Sequence, residues 1–197
     1  MSESSNTPIQ QLLTIMAQLR DPKRGCPWDR KQTWQTLLPY TLEETYEVVD
    51  AVDRNDAAAV CDELGDLLLQ VVFMAQIAEE QGLFNFNDVA QGISEKLIRR
   101  HPHVFDNTVY QSEAEQKQAW ETIKQAERAE KKQEGLFAGI PTAMPALRRA
   151  QKVQKRAAQV GFDWENWQQV VPKVHEELDE VAEAVAQQEP FTRIEEE

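Results

Sequence analysis

Residues 41–81 read TLEETYEVVDAVDRNDAAAVCDELGDLLLQVVFMAQIAEEQ, and this stretch decides the fold. Its apolar residues recur at helical spacing, which predicts one helix over about 41–54 and a second over about 57–81. Asn55 interrupts the pattern between them, and Gly82 is placed to end the second helix. The stretch therefore predicts two consecutive helices joined by a short turn.

The two predicted helices carry a set of closely spaced carboxylates. At 100° per residue, the three acids of the first helix fall within an arc of about 100°, and the two acids of the second share a face. From Leu64 to Ala75 the second helix is apolar on nearly every side, which predicts a buried helix. Buried carboxylates need a cationic partner, and all-oxygen ligands favour Mg2+ or Mn2+. If the helices pack antiparallel, the acids that converge on such a cation are Glu43, Glu44, Glu47, Glu63 and Asp66.

Each of these acids also has a simpler interpretation. Pro39 is expected to precede the first helix, and Thr41 and Glu44 then match a capping box at its N-terminus. Glu63 and Asp66 could lie on a solvated edge of the second helix. The interpretation as a metal site depends on both carboxylate spacings, one on each predicted helix, occurring together among apolar residues.

Charge and composition exclude several classes of protein. Among 197 residues, 21 are Lys or Arg and 34 are Asp or Glu, which gives a net charge of −13. Such a field does not attract nucleic acid. The N-terminus lacks the apolar core of a signal peptide, and no apolar run approaches the ~20 residues of a membrane span. Two cysteines, Cys26 and Cys61, suit a reducing cytosol. The sequence thus predicts a cytoplasmic protein without nucleic-acid or membrane partners.

The usual signatures of other catalytic classes are missing from the sequence. It contains no GxxxxGK[ST] phosphate loop, no GxSxG nucleophile motif and no CxxC pair. None of its three histidines follows a glutamate by three residues, as a di-iron bundle requires. The carboxylate pattern is therefore the strongest candidate for chemistry.

Outside the central pair the sequence continues to favour helices. Residues 135–145 contain two Gly and two Pro, which predicts a linker. The predicted organisation is a disordered N-terminus over 1–8, a first helical unit over 9–134 and a second unit over 146–197. Further helices are predicted over 8–20, 88–100 (with Asn87 as the N-cap), 112–134, 146–159 and about 170–188.

An internal repeat supports the two-unit organisation. Residues 41–52 align with residues 174–185, and half of the aligned positions are identical. Upstream, the loop over 25–29 (GCPWD) loosely resembles 161–164 (GFDW). The repeat indicates that the second unit is related to the first.

Short motifs along most of the chain resemble those of a known family. They are LRDP (19–22), GCPWD (25–29), YTLEETYE (40–47), ELGDLL (63–68), RRHPHVF (99–105), QKRAA (154–158) and VGFDW (160–164). Together these motifs resemble MazG. The resemblance implies an all-α fold of two tandem units, with four-helix-bundle-like packing completed by homodimerisation. It also implies Mg2+-dependent hydrolysis of nucleoside triphosphates to nucleoside monophosphates and pyrophosphate.

The resemblance also assigns roles to individual residues. The metal pattern of the family, ExxE followed by ExxD, falls on Glu44, Glu47, Glu63 and Asp66, with Glu43 beside them as a further catalytic candidate. In the second unit ExxE falls on Glu177 and Glu180, and Glu197 is the expected third ligand. The chain ends there, so this second set is expected to be incomplete. Nucleotide contacts of the second unit are implied at Lys173, Val174, His175, Glu176, Glu177, Arg193, Ile194, Glu195 and Glu196.

A basic helix end supplies candidates for binding phosphate. Lys96, Arg99 and Arg100 share a face at spacings of three and four residues, where they could neutralise departing pyrophosphate. Their alternative role is to complement the dipole at the C-terminus of that helix. The alternative function for the whole chain is a non-catalytic dimerisation or regulatory module, with catalysis assigned to the second unit.

Overall fold

A computed structural model describes residues 7–130 and 135–196, without the side chain of Glu196. Its regular secondary structure is entirely helical in these ranges, which confirms the all-α prediction, and no helix there is long and apolar enough to cross a bilayer. The chain divides into two compact units after Tyr110. The first unit contains α1 (Pro8–Leu19), α2 (Trp34–Asp53), α3 (Ala57–Glu80), α4 (Phe86–Arg100) and α5 (Pro102–Phe105). The second contains α6 (Glu113–Glu130), α7 (Ala146–Ala158), α8 (Val170–Ala186) and α9 (Phe191–Glu196).

The core of the first unit lies between α1, the start of α2 and the second half of α3. Thr7 caps α1 by accepting the Gln10 N–H, and the Gln10 side chain accepts the Thr7 N–H in return. The apolar stripe of α1 then packs against α3. The buried cluster consists of Met16, Leu37, Val72, Phe73 and Ile77.

Only the second half of α3 is buried. Ile77 is 3% exposed, whereas Leu64 is 49% and Leu68 39% exposed. The prediction of a buried helix from Leu64 onward is therefore wrong for the first half of α3, because α1 covers only the part that follows. This leaves the half that carries Glu63 and Asp66 accessible.

The structure starts α2 seven residues earlier than the sequence pattern predicts. Thr33 and Thr36 form its capping box, and Pro39 lies inside the helix. A proline near the start of a helix removes only one backbone hydrogen bond, so the helix continues through it. Thr41 is in mid-helix, where its hydroxyl donates to the Leu37 carbonyl at 3.0 Å. The interpretation of Glu44 as a capping residue is therefore wrong.

The turn from α3 into α4 is formed by local hydrogen bonds. Gly82 adopts a left-handed φ of 68°, as expected at a helix end, and the Leu83 N–H donates to the Ala78 carbonyl. The N-cap of α4 is Asn85, whose side chain accepts the N–H groups of Asn87 and Asp88. The prediction of Asn87 as N-cap is wrong because a second asparagine lies two residues upstream.

Arg20 connects the end of α1 to α3 and to the following loop. Its guanidinium donates to both carboxylate oxygens of Glu80, at 2.7 and 2.6 Å, and to the carbonyls of Asp29 and Gln32. It also lies over the Phe73 ring, 5.4 Å from the centroid. These contacts fix the loop between α1 and α2 against the core.

The Arg20–Glu80 pair makes a pH-dependent contribution to stability. Hydrogen bonds from Arg20 hold the pKa of Glu80 below its usual range, so the folded state releases this proton more readily than the unfolded state. The stabilisation is complete at neutral pH and is lost as the pH falls through the lowered pKa. The difference in unfolding free energy between wild type and Glu80→Gln should therefore shrink below about pH 5, measured by urea unfolding. Glu79→Gln is the matched control, and a pH-independent difference for Glu80→Gln would contradict the assignment.

The loop before α2 requires glycine at position 25. The Gly25 N–H donates to the Asp21 carbonyl, and the Cys26 N–H donates to the Leu19 carbonyl. A Cβ on Gly25 would lie 2.4 Å from the Leu19 oxygen and 2.6 Å from the Asp21 oxygen, which are both backbone atoms. No side-chain rotation can relieve such a contact.

Gly25→Ala should lower the free energy of unfolding by about 2 kcal/mol or more, because the loop backbone must shift. Chemical denaturation measures the change. Gly92→Ala is the control, since Gly92 lies within α4 with nothing within 4 Å of the added Cβ. That variant should be neutral or more stable by up to ~1 kcal/mol. Equal effects of the two substitutions would refute the explanation.

The second unit begins earlier than the sequence pattern suggested. The division after Tyr110 groups α6 with the second unit, whereas residues through 134 were assigned to the first. One face of α6 is covered: Glu127 is buried, and Trp120 and Ile123 are half-buried. The 135–145 segment forms turns, while residues 1–6 and 131–134 lie outside the described residues. The tandem-unit organisation remains a prediction.

Candidate metal centre

The turn between α2 and α3 sets which acids lie opposite one another. Asn55 takes a left-handed φ of 56°, and the Asp56 side chain caps α3 by accepting two backbone N–H groups. In an antiparallel helix pair, residues equally distant from the turn lie at the same level. Glu44 and Asp66 are each eleven residues from Asn55, and Glu47 and Glu63 are each eight residues from it. The sequence therefore places two pairs of carboxylates across the hairpin.

The structure brings three of these carboxylates together. One carboxylate oxygen from each of Glu44, Glu63 and Asp66 lies within 4.8 Å of the other two. Glu44 and Glu63 are half-buried, and Asp66 is exposed. Among the described residues, this is the one group of three or more His, Cys, Asp or Glu side chains with that geometry. We call it the carboxylate cluster.

Mutual repulsion marks the cluster as electrostatically unfavourable on its own. Burial raises the pKa of Glu44, and the charge of Asp66 and hydrogen bonding with Glu47 raise it further. Burial also raises the pKa of Glu63, with Glu47 as the strongest of several acidic neighbours. These strongest partners are the residues found at the same level across the hairpin. The pattern indicates that the cluster favours a compensating cation.

The donor set also restricts which cation fits. Carboxylate oxygens are hard ligands that suit Mg2+ and Mn2+, whereas zinc and copper favour nitrogen and sulfur. The described part of the chain brings no cysteine or histidine into the cluster. The cluster can therefore hold a divalent metal ion through oxygen ligands, with Asp66 on the side open to solvent.

The remaining predicted residues of the first unit lie outside the three-carboxylate group. Glu43 is exposed on α2, next to Glu44. Lys96 and Arg100 are half-buried and Arg99 is exposed, all in the last two turns of α4. The roles of Glu43 and of these three cations remain predictions.

The second predicted site lies on α8 and α9. Lys173 contacts Glu176 at 2.7 Å and Glu177 at 3.7 Å, and the hydrogen bond that Lys173 donates to Glu176 raises the pKa of Lys173. Glu180 and Arg193 both line a cavity of about 190 Å³ between the two helices. The other predicted positions described here are Val174, His175 and Glu195, which are exposed, and Ile194, which is half-buried. Glu197 lies outside the described residues, and nothing is described of the Glu196 side chain.

Sequence reasoning missed one charged neighbour of the cluster. Arg54, at the end of α2, pairs with Asp50 and its charge partly offsets the raised pKa of Glu63. The signal was available, because Arg54 adjoins the turn and Glu63 lies two helical turns beyond it.

The fold and the cluster define a class of protein: an all-α protein whose antiparallel helix pair presents a carboxylate cluster suited to a divalent metal ion. The MazG nucleotide pyrophosphohydrolase domain matches residues 32–105, which include the whole cluster. A nucleoside triphosphate pyrophosphohydrolase of Escherichia coli K12 is 57% identical over 173 residues, which are 88% of this chain and 66% of that protein. A Thermotoga maritima protein named nucleoside triphosphate pyrophosphohydrolase/pyrophosphatase MazG is 47% identical over 176 residues, 89% of this chain and 67% of the relative.

A solved structure of a related protein is also similar to this chain. The crystal structure of a mazG-related protein from Thermotoga maritima aligns with a TM-score of 0.50 at 30% identity, covering 59% of this chain and 98% of that one. The chain belongs to the MazG family of nucleotide pyrophosphohydrolases, as its motifs predicted. It spans about two thirds of the length of the Escherichia coli and Thermotoga relatives.

Proposed function

We propose that this chain is an Mg2+-dependent nucleoside triphosphate pyrophosphohydrolase, which converts a nucleoside triphosphate and water into a nucleoside monophosphate and pyrophosphate. The observation that carries the proposal is the convergence of Glu44, Glu63 and Asp66 within 4.8 Å. The names of the Escherichia coli and Thermotoga relatives support the same activity.

The charge of the protein explains why a metal is needed. A triphosphate is a polyanion, and the chain carries a net charge of −13 with a carboxylate cluster at the proposed site. Direct approach of the substrate would be repulsive. A divalent cation between the two would neutralise both. Mg2+ is the proposed ion, and Mn2+ has suitable ligand preferences as a substitute.

Several carboxylates would bind the Mg2+ ion together. Glu44, Glu47, Glu63 and Asp66 are the proposed ligands, and the convergence of Glu44, Glu63 and Asp66 supports this set. When bound, Mg2+ supplies Lewis-acid polarisation of phosphate oxygens and lowers the pKa of coordinated water. Glu43 is proposed to orient the attacking water. The cations at the end of α4 (Lys96, Arg99 and Arg100) are proposed to stabilise charge on the departing pyrophosphate.

A second metal site is proposed on the second unit. Glu177 and Glu180 lie three residues apart on α8 and so share a face of the helix, with Glu197 as their proposed third partner. The adjoining nucleotide contacts would come from residues 173–177 on α8 and 193–196 on α9. A regulatory role for the first unit is the alternative if only this second site supports activity.

Product analysis tests the proposed reaction directly. The purified chain is incubated with each of the common ribo- and deoxyribonucleoside triphosphates, with Mg2+ or with EDTA. We expect monophosphate and pyrophosphate in equal amounts with Mg2+ and no reaction with EDTA. Diphosphate and inorganic phosphate as products would refute the proposal, as would the absence of turnover with every nucleotide.

The first unit is also proposed to form a homodimer. Isolated exposed apolar side chains are normal on a protein surface. Helices α2, α3 and α4 of the first unit, however, together expose many apolar side chains. Sedimentation equilibrium should give a mass near twice 22.6 kDa, and a monomer mass at micromolar concentration would contradict the proposal. The side chains concerned are Leu42, Tyr46, Val49, Val52, Leu64, Leu68, Val71, Val89, Ile93 and Leu97, each at least 38% exposed.

A further inference from the structure

A cavity in the second unit has the opposite charge from the rest of the chain. It lies between α6 and α7, has a volume of about 240 Å³, and is lined by Lys124, Lys152, Lys155 and Arg156 together with one carboxylate, Glu121. Gln159 and the turn at Gly139 and Ile140 complete the wall. Four cations against one acid make this cavity strongly positive in a protein whose net charge is −13. We call it the cationic cavity.

The single acid in the wall is already neutralised. The Glu121 carboxylate accepts hydrogen bonds from Lys124 at 3.0 Å and from Gln159 at 3.2 Å. Burial alone would raise the pKa of Glu121, but these bonds and the charges of Lys124 and Lys155 bring it below its usual range. Glu121 is therefore occupied by Lys124, which leaves three further cations facing the cavity.

Among the described residues, Glu121 only partly balances those three cations. Within the described residues, neither Lys152 nor Lys155 has a carboxylate within 4.0 Å. Arg156 donates to the Leu136 carbonyl at 3.0 Å, a neutral partner. Burial lowers the pKa of Arg156 and the charge of Arg128, which lies outside the cavity wall, lowers it further, while Glu121 opposes the shift. The like charges gathered in the wall repel one another. An anion is the ligand that would relieve this repulsion.

The size of the cavity limits the anion. Pockets for drug-sized ligands are about 300–1,000 Å³, so a space of about 240 Å³ suits a small, highly charged group rather than a whole nucleotide. Lysines act on phosphate as point charges and arginine donates in a fork that matches phosphate oxygens. A group with two linked phosphates has more negative charge and more oxygen atoms than a single phosphate, so it can contact all three cations.

We propose that the cationic cavity is a second anion site, which binds a diphosphate group directly through Lys152, Lys155 and Arg156 without a metal ion. The group could belong to inorganic pyrophosphate or to the phosphate tail of a nucleotide. Binding here does not depend on hydrolysis at the carboxylate cluster. The two sites differ in their requirement for metal, because a cluster of carboxylates has no attraction for a polyanion when divalent cations are removed.

Calorimetric titration of the full chain with inorganic pyrophosphate in EDTA and 150 mM salt tests the proposal. The test variant is Lys152→Gln/Lys155→Gln, and we expect its affinity to fall at least tenfold. The control is Arg148→Gln/Arg149→Gln, which removes the same charge from the same helix at positions outside the cavity wall. Its affinity should stay within about twofold of wild type. All four positions are exposed, so both variants should keep the wild-type melting temperature.

The titrations distinguish the proposal from a diffuse electrostatic effect. Absence of pyrophosphate binding by the wild type would overturn it, and so would equal losses in the two double variants. Equal affinity for single phosphate would overturn the diphosphate assignment. A parallel titration with a nucleoside triphosphate in EDTA identifies the source, since tighter binding than pyrophosphate indicates a nucleotide tail and weaker binding indicates free pyrophosphate. Asp66→Asn should leave all these titrations unchanged, even if it abolishes hydrolysis.

Discussion

Glu44→Gln is expected to lower Mg2+-dependent pyrophosphate release by about a thousandfold, because it removes one of the carboxylates proposed to hold the metal ion. The side chain keeps its size and position on α2, so packing is preserved. The measurement is kcat/KM for the preferred nucleotide at saturating Mg2+. Most of the loss should appear in kcat if the ion acts mainly on the transition state.

Asp62→Asn is the matched control for this experiment. Asp62 is the exposed neighbour of Glu63 on α3 and lies outside the group of three converging carboxylates. Removal of its charge should change kcat/KM by less than about threefold, because this exposed side chain acts on Glu63 only through its charge. If the two variants lose activity equally, or if neither does, the carboxylate cluster is not the catalytic centre.

Glu44→Gln should lower the activity but raise the stability of the metal-free protein. Burial and then repulsion from Asp66 raise the pKa of Glu44, so the metal-free folded state disfavours the charged form of this side chain. Glu44→Gln removes that repulsion, and the metal-free variant should melt at a higher temperature than the metal-free wild type. The Glu44 carboxylate is thus expected to support activity while it lowers the stability of the metal-free fold.

Mg2+ should reverse that order. At a concentration of 100 times its Kd, a ligand adds about 2.7 kcal/mol of stability, which raises the melting temperature of the wild type by roughly 5 °C or more. Glu44→Gln should show no such rise. Potassium chloride at matched ionic strength controls for screening. The interpretation fails if Mg2+ stabilises both proteins equally, or if the metal-free variant is less stable than the metal-free wild type.

Much of the fold follows from local patterns in the sequence. The apolar spacing in 8–20 and 57–81 predicted α1 and α3 closely, because capping residues and core-facing side chains agree there. The start of α2 was missed because Pro39 is usually a helix breaker and Thr41 resembles a cap. The stronger capping box at Thr33 and the contact of Leu37 with the core override both signals.

The burial of α3 could not be read from its composition. A helix that is apolar on every side was expected to be covered on every side, yet α1 covers only its second half. Within the described residues, Leu64, Leu68 and Val71 therefore stay at least 39% exposed. Composition shows that a helix is apolar on every side but not which part of it another helix covers.

The candidate site was more predictable than the fold around it. Helical spacing alone placed Glu44 beside Glu47 and Glu63 beside Asp66, and the short turn at Asn55 fixed their level across the hairpin. What spacing could not give was the difference in exposure between Glu63 and Asp66, or the part played by Arg54. Both depend on how closely the two helices approach, which is a property of packing. The cationic cavity was missed because its cations come from two helices that are far apart in the sequence, α6 and α7.

Binding of Mn2+ followed by electron paramagnetic resonance tests the central claim most directly, because the signal of free Mn2+ falls as the ion binds. The account predicts that the Glu44→Gln/Asp66→Asn double variant loses at least one equivalent of bound Mn2+ relative to wild type. It also predicts that a nucleoside triphosphate tightens Mn2+ binding in the wild type alone. Identical Mn2+ titrations of the wild type and the double variant would contradict the claim that these carboxylates hold the metal.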